Sequence, residues 1–154
     1  MKKYIFITFV AIASIINMHA KQGDVSANAQ FVYASKHSMA GLGAQLQYEF
    51  ATNWRVAPEF IYYFKNVGWS AINANVIFHY VIPTSSSFSI YPLIGLSYAN
   101  NKYGNSSYDH CGANVGMGAE YRIKDQLYFF SEERFQIIKD FNQSVTVLGM
   151  KYTF

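Results

Sequence analysis

The chain ends in the stretch SVTVLGMKYTF, Ser144 to Phe154, and this stretch decides the fold. Counted back from the terminus, one set of alternate positions holds Phe154, Tyr152, Met150, Leu148 and Thr146. The intervening positions hold Thr153, Lys151, Gly149, Val147 and Val145. Strict alternation is the period of a β-strand, whose successive side chains point to opposite faces. Alternation up to a terminal aromatic residue is unusual in a soluble domain, where chain ends tend to be loose. We therefore expect a closing strand with no tail.

Seven further segments alternate in the same way and are separated by polar breaks. They are 24–35, 40–50, 54–65, 71–82, 88–99, 112–123 and 127–138. Each has about eleven residues, the length that a tilted strand needs to cross a bilayer. The connections also alternate in length, and the longest is 100–110. Barrels of outer membranes have short periplasmic turns, longer external loops and both termini in the periplasm. The pattern predicts an all-β fold, an eight-stranded antiparallel up-and-down transmembrane β-barrel over residues 21–154.

The composition supports this class and excludes others. Of 154 residues, 51% are hydrophobic, 18% aromatic and 14% charged, whereas about a quarter charged is usual for soluble domains. The mean hydropathy of +0.03 excludes a helical membrane protein, but lipid-facing and lumen-facing residues that alternate give this balance. Two of the basic residues behind the net charge of +3 lie in the first 20 residues, so no nucleic-acid partner is expected. Cys111 is the single cysteine and excludes an internal disulfide.

Residues 1–20 have the pattern of a secretory signal peptide. Lys2 and Lys3 precede an apolar run, 4–18, which is shorter than the about 20 residues of a membrane-spanning helix. We expect cleavage after Ala20, although Met18 is larger than the residue usual at the third position before a cut. No cysteine lies near the cut, so a lipid anchor is not expected.

Alternation does not show which face of the sheet points outward, and a soluble lipocalin-type barrel with an apolar interior has the same period. The polar faces consist mainly of Gly, Asn, Gln and Ser with few charges, which suits the interior of a narrow barrel. The apolar faces carry aromatic residues near both strand ends, as in the aromatic girdles of membrane barrels. These are Phe50, Trp54, Tyr80, Phe88, Tyr121 and Tyr152 near one rim and Tyr33, Tyr62, Phe64 and Tyr98 near the other. We therefore expect membrane lipids outside.

Two positions disturb the pattern. Pro58 lies on the apolar face and lacks one ladder donor, so we expect a bulge or a local irregularity there. Glu133 lies in mid-strand on the lipid-facing side, where an unpaired carboxylate costs on the order of 2 kcal/mol. Either a bulge shifts the register after Ser131, or Glu133 lies nearer to a rim.

The inward-facing positions include four acidic and four basic side chains. They are Glu49, Arg55, Glu59, Glu120, Arg122, Glu132, Arg134 and Lys151. The interior of an eight-stranded barrel is just wide enough to be filled by side chains, and unpaired ions would be costly there. We expect a salt-bridge network that plugs the lumen, with a small charged conduit or gate as the alternative. His79, on the same face, is expected to be a hydrogen-bonded lumen residue.

Chemistry beyond this network has little support. Residues able to support Ser/His/acid acyl transfer lie in the predicted loops: His37, Ser38, Asp109 and His110. Polar loops contain such residues by default and no motif joins these four, so we assign no catalytic residue, metal or cofactor. Aromatic residues in the same loops either rest at the lipid headgroups or bind a surface partner: Trp69, Tyr103 and Tyr108.

Parts of the sequence resemble a known family. The ending 152–154 is similar to the closing strand of bacterial outer-membrane barrels, and segments 118–122 (GAEYR) and 132–135 (EERF) look like late strands of the small porin-like outer-membrane β-barrel domain family of Gram-negative bacteria. Glu133 stands where an aromatic residue is more usual. The resemblance implies an outer-membrane location and an assembly signal at Tyr152 and Phe154 that the assembly machinery recognises.

The resemblance leaves the task of the protein open. Members of such families include adhesins and envelope stabilisers. We expect a non-enzymatic, monomeric barrel with a largely side-chain-filled lumen, which contributes to envelope integrity or surface interaction through its external loops. The alternatives are a narrow porin-like channel for small solutes, a lipid-modifying enzyme and a soluble lipocalin-like binding barrel.

Overall fold

The computed structural model describes residues 23–139 and 142–154, so the predicted signal peptide lies outside the described residues. These residues form eight long antiparallel strands. The strands are β1 (Val25–Ala34), β2 (Met39–Ala51), β3 (Trp54–Asn66), β4 (Trp69–Tyr80), β5 (Phe88–Tyr103), β6 (Ser106–Lys124), β7 (Leu127–Ile138) and β8 (Gln143–Thr153). A two-residue strand, Ile82–Pro83, pairs with the start of β5. Within the described residues, no helix is long and apolar enough to cross a membrane.

Each strand pairs with the next along the chain, and β1 pairs with β8 to close the ring. The C-terminal residue takes part in this closure, because the backbone N–H of Phe154 donates to the carbonyl oxygen of Val25 at 2.9 Å. A closed ring has no unpaired edge within the bilayer, where an unpaired backbone group would be costly. The predicted eight-stranded up-and-down barrel is confirmed.

Apolar side chains cover the outside of the barrel and polar side chains fill the inside. Leu42 and Leu96 are 56% and 71% exposed, whereas Glu59 and Glu132 are 2% and 1% exposed. An outer surface of this kind is compatible with lipid and not with water, since large contiguous apolar patches are rare on soluble monomers. The lipid-facing orientation is confirmed, and the lipocalin-like alternative is wrong.

We call the end of the barrel that holds both termini the lower end and the opposite end the upper end. The prediction of a loop over residues 100–110 is wrong. β5 and β6 continue through this stretch, and only residues 104–105 form the turn. Gly104 adopts a φ of 57° there, in the region that glycine tolerates best. Across the hairpin, the Asn100 amide donates to Ser107 Oγ at 2.8 Å. The polar composition that predicted a loop belongs to strands that rise above the apolar belt.

At Pro58 the structure has the expected local irregularity but not a bulge. Pro58 lies opposite Val76 in an unshifted β3–β4 ladder. Against β2, the ladder skips the pairs at Ala57 and Pro58, but the register is the same on both sides. The missing N–H of proline therefore interrupts the pairing without adding a residue. The register of β2 and β3 shifts instead at residues 49–51, next to the turn.

Neither explanation offered for Glu133 holds. The β6–β7 ladder keeps one register from Gly112 to Arg122, so no bulge follows Ser131. Glu133 lies midway along β7, on the exposed outer face. Its Oε2 accepts a hydrogen bond of 2.7 Å from Thr146 Oγ1 on β8. The carboxylate thus stays on the lipid side with a hydroxyl partner on the neighbouring strand.

Candidate functional site

The centre of the lumen holds a buried group of three ions. Glu132 and Arg134 are two residues apart on β7 and therefore point to the same side of the sheet. Arg134 Nη1 and Nη2 donate to the two carboxylate oxygens of Glu59 on β3 at 2.7 and 2.8 Å. Arg134 Nε donates to Glu132 Oε2 at 2.7 Å. Bidentate pairs of this kind are among the stronger hydrogen bonds in proteins.

Neutral amides complete the coordination of Glu59. Gln30 Nε2 on β1 donates to Oε1 at 2.5 Å, and Asn75 Nδ2 on β4 donates to Oε2 at 2.6 Å. Glu59 therefore accepts bonds from three strands, including two from Arg134. A buried carboxylate keeps its charge only with partners of this kind.

The second carboxylate of the group binds a tyrosine. Tyr91 on β5 donates from its hydroxyl to Glu132 Oε1 at 2.8 Å. Gly118 makes room for this ring, because a Cβ there would lie 2.3 Å from a Tyr91 ring carbon. The His79 ring packs against the Tyr91 ring at a 37° tilt, with 4.9 Å between centroids. Contrary to expectation, neither nitrogen of His79 has a hydrogen-bond partner among the described residues.

A second ion cluster lies below the first. Arg55 on β3 donates from Nη1 and Nη2 to Glu120 on β6 at 2.9 and 2.8 Å. Lys151 Nζ on β8 donates to the same carboxylate at 2.5 Å and lies 4.4 Å from the centre of the Tyr128 ring. Glu120 thus pairs with both Arg55 and Lys151, and burial of these two bases without a partner would be costly.

The two remaining predicted lumen ions lie at the lower rim. Glu49 is half-buried, with Oε2 4.0 Å from Arg55 Nε. Arg122 is exposed, with its guanidinium 5.7 Å from the centre of the Tyr128 ring. Both residues line a polar cavity of about 170 Å³ that ends above at the Arg55–Glu120 pair. The structure thus brings six of the eight predicted ions into two buried clusters and leaves two beside this cavity.

Apolar side chains close the lumen toward the upper end. The cluster consists of Val32, Ala34, Met39, Ile61, Tyr63, Ala71, Phe130, Val145 and Val147. Trp69 packs against it. The Trp69 ring stacks on His37 and packs against Tyr103 at a 37° tilt, each at 4.8 Å between centroids. The β1–β2 turn is fixed beside this stack, because Asn66 Nδ2 donates to the carbonyl oxygens of His37 and Ser38 at 3.0 Å.

The four candidates for acyl transfer lie on two different hairpins. His37 and Ser38 belong to the β1–β2 turn, where the His37 ring packs against an indole. Asp109 and His110 belong to β6, where the Asp109 carboxylate accepts from the Asn100 amide. Within the described chain, no group of three or more His, Cys, Asp or Glu residues could hold a metal ion.

Sequence reasoning identified the ions but missed their neutral partners. Gln30, Asn75 and Tyr91 were inward-facing in the pattern, yet nothing in it showed which strand each would reach. A signal for Tyr91 existed, because a large aromatic residue on a mostly small polar face needs a glycine opposite. Gly118 is that residue, and it pairs with Tyr91 in the ladder.

The fold is similar to several solved barrels. The N-terminal β-barrel domain of Pseudomonas aeruginosa OprF has 19% identity and a TM-score of 0.69, with 86% of this chain and 100% of that chain covered. Neisserial surface protein A has 18% identity and a TM-score of 0.65, with 86% and 97% covered. Yersinia pestis outer membrane protein Ail has 17% identity and a TM-score of 0.61, with 86% and 100% covered.

Sequence comparison gives the family. No curated protein sequence matches the chain significantly. The model of the family described as "Outer membrane protein beta-barrel domain" matches residues 7–154. Strand number, closure and the apolar outer surface agree with this match. The chain belongs to the outer membrane protein β-barrel domain family, and the protein is located in the outer membrane.

Proposed function

We propose that the protein is a closed, monomeric, non-enzymatic barrel that contributes to envelope integrity or to interaction at the cell surface. One observation carries this proposal. Arg134 on β7 binds Glu59 on β3, and these strands are four apart in a ring of eight. They therefore face each other across the lumen, and the ion pair spans its full width.

Other layers support a closed lumen. The second ion cluster lies below this bridge, and the apolar cluster with the Trp69 ring stack lies toward the upper end. Breaking a buried ion pair by removing one partner costs about 3–5 kcal/mol. A solute that crossed the barrel would have to displace these groups in turn, which opposes a steady conducting path.

Single-channel recording of the purified protein in planar bilayers tests the proposal. The wild type is expected to give no stable conductance steps in concentrated KCl. A double variant, Glu59→Ala with Arg134→Ala, removes both sides of the bridge and is expected to leak, which shows that the assay detects an open lumen. Stable wild-type steps that scale with salt concentration would establish the narrow-channel alternative instead.

The upper end is the part that would meet external partners. In outer-membrane barrels both termini lie in the periplasm, which places the upper end outside the cell. Two similar barrels are described as Neisserial surface protein A and as the attachment invasion locus protein, the latter also solved with the heparin analogue sucrose octasulfate. We infer a surface role for this protein because β5 and β6 continue above the apolar belt at the upper end.

The acyl-transfer candidates lie on two different hairpins and no motif joins them, which supports a non-enzymatic role, in which no cofactor is needed. If a lipid-modifying activity existed, His37→Ala or His110→Ala would abolish it. We expect both variants to leave the acyl pattern of outer-membrane lipid unchanged, as judged by mass spectrometry of extracted lipid A. A change confined to either variant would favour the enzyme.

We also propose that residues 1–20 are removed on export. The intact mass of the protein extracted from outer membranes should correspond to a chain that begins at Lys21. A mass that retains Met1 would contradict the assignment of a cleaved signal peptide.

A further inference from the structure

Glu133 is the one charged residue that the described strands place on the outer face within the apolar belt. It is exposed, and on the same face of β7 it lies four residues above Phe129 and four residues below Ile137. A tilted strand gains about 2.5 Å of depth with each residue, so the carboxylate lies roughly 10 Å from either rim. The two other outward charges, Lys102 and Asp109, lie above the aromatic girdle.

The barrel itself does not neutralise this carboxylate. Its Oε2 accepts from Thr146, and its Oε1 has no hydrogen-bond partner among the described residues. Lipid headgroups lie outside the hydrocarbon, beyond the reach of a side chain with two methylene groups. Ionisable side chains inside a membrane are rare, and each is by default a functional site with a partner. The position of Glu133 therefore indicates a partner from outside the chain.

A shallow apolar groove of about 500 Å³ adjoins the carboxylate on the outer face. Its floor lies at Ala29, because the other outward side chains around it are larger. They are Phe31, Leu42, Phe129, Leu148 and Met150. Leu148 lies opposite Ser131 in the β7–β8 ladder, one outward position below the pair of Glu133 and Thr146. The surface thus combines a charge with a shape that can receive side chains.

We propose that this surface binds a membrane-spanning segment of another protein. We call it the Glu133 surface and define it by Glu133, Thr146 and the groove residues named above. The segment places a lysine or an arginine beside the carboxylate at mid-depth and apolar side chains in the groove. A charge-assisted hydrogen bond to Glu133 is strong there, because the surroundings are apolar. The inference goes beyond the proposed function, since it requires neither a closed lumen nor the upper hairpins.

A second copy of this chain does not supply the required base. Among the described residues, the outward positions of the eight strands within the belt hold no Lys, Arg or His. A copy rotated about an axis along the membrane normal would bring a second Glu133 to the same depth, where like charges repel strongly in apolar surroundings. Charge complementarity therefore favours a different protein.

The probe is a synthetic helix, since helices and closed barrels are the structures that span membranes. It has about 20 Leu and Ala residues with Lys at the centre, and the control peptide has Leu at that position. A donor dye on Cys111, which is exposed, and an acceptor dye on the peptide report binding to the mature protein in phospholipid vesicles by energy transfer. The Lys peptide should reach half-maximal transfer at a concentration at least about tenfold lower than the Leu peptide.

Three variants locate the contact, and a shift on heating in SDS gels confirms that each one folds. Glu133→Gln can still accept from Thr146 but lacks the charge, so the preference for Lys should fall to less than about twofold. Asp109→Asn removes an outward carboxylate above the belt and should keep the full preference. Ala29→Leu fills the groove and should weaken binding of both peptides alike.

Equal half-maximal concentrations of the two peptides with the wild type would overturn the proposal. A preference for Lys that survives Glu133→Gln would also overturn it. Energy transfer between donor-labelled and acceptor-labelled barrels without peptide would show that a second copy covers the surface, which contradicts the proposal as well. None of these results bears on the closed lumen, because the conductance recordings test that separately.

Discussion

Replacing Arg134 with Met tests whether the lumen network is as buried and as tightly paired as the structure shows. Arg134 is 2% exposed, and two adjacent edges of its guanidinium donate to Glu59 and to Glu132. The variant keeps much of the volume of the side chain but leaves two carboxylates together in the lumen. Removing one partner of a buried ion pair costs about 3–5 kcal/mol, and here two acids lose the same base.

The triple variant Glu59→Gln, Glu132→Gln, Arg134→Met removes the charges together. Replacing a whole buried ion group with well-packed hydrophobic residues of similar volume is often neutral or stabilising by about 1–4 kcal/mol, and here the two Gln side chains keep oxygens that can accept from Gln30, Asn75 and Tyr91. The single variant should therefore lose at least about 3 kcal/mol, and the triple variant should recover most of that loss. A simple sum of single effects would instead predict the triple variant to be the least stable.

Urea unfolding of the barrels in lipid vesicles, followed by tryptophan fluorescence, measures these differences. Glu49→Gln is a matched control, since Glu49 is half-buried at the lower rim and 4.0 Å from its base; exposed pairs contribute about 0–1 kcal/mol. If Arg134→Met unfolds at the wild-type urea concentration, water must reach both carboxylates, and the reasoning that the network seals the lumen is wrong.

Three further changes test other features. Glu133→Leu should stabilise the barrel by up to about 2 kcal/mol in the same assay, because it removes a carboxylate from the lipid side. Deleting Phe154 should lower the fraction of protein that shifts on heating in SDS gels, because it removes the proposed assembly signal and the bond to Val25. Gly118→Ala should destabilise the barrel by about 1–3 kcal/mol, because its Cβ would lie 2.3 Å from the Tyr91 ring.

Each change has a control and a contradicting outcome. Thr146→Val leaves Glu133 in place without its hydroxyl partner and should destabilise the barrel. Equal stability of Thr146→Val and Glu133→Leu would show that the carboxylate is solvated. Phe154→Tyr keeps a terminal ring and should assemble; wild-type yield of the deletion would disprove the assembly signal. Gly104→Asn, at a turn with open space around its Cβ position, should be tolerated, and a loss equal to that of Gly118→Ala would mean that crowding of Tyr91 is not the cause.

Strand number and the division of residues between two faces could be predicted from the local pattern, and the composition of the faces predicted which one points outward. In a barrel with an apolar outer face and a polar inner face, each residue is sorted by the side it faces, and period two records this directly. The exposure of Leu96 and the burial of Glu132 agree with that sorting. The interior pairs could not be predicted, because residues on β3 and β7 meet through closure of the ring and not through neighbouring positions in the sequence.

The upper hairpin shows where the local pattern loses its information. Between Lys102 and Asp109, both faces of the strands are exposed, so Asn, Ser and Gly are tolerated on either side. That composition also favours turns, and the two cases differ only in cross-strand bonds such as Asn100 to Ser107. For Glu133 the period predicted the lipid-facing side correctly. It did not predict the hydrogen bond to Thr146.

The ion pair between Arg134 and Glu59 can form only at one barrel diameter. Barrel diameter grows with strand number, while the reach of an arginine side chain is fixed. A duplicated hairpin would give ten strands and a wider ring, in which the guanidinium of Arg134 would fall short of the carboxylate on β3. A change to ten strands therefore requires that the residues of this ion pair are replaced first. A barrel that keeps the pair keeps eight strands.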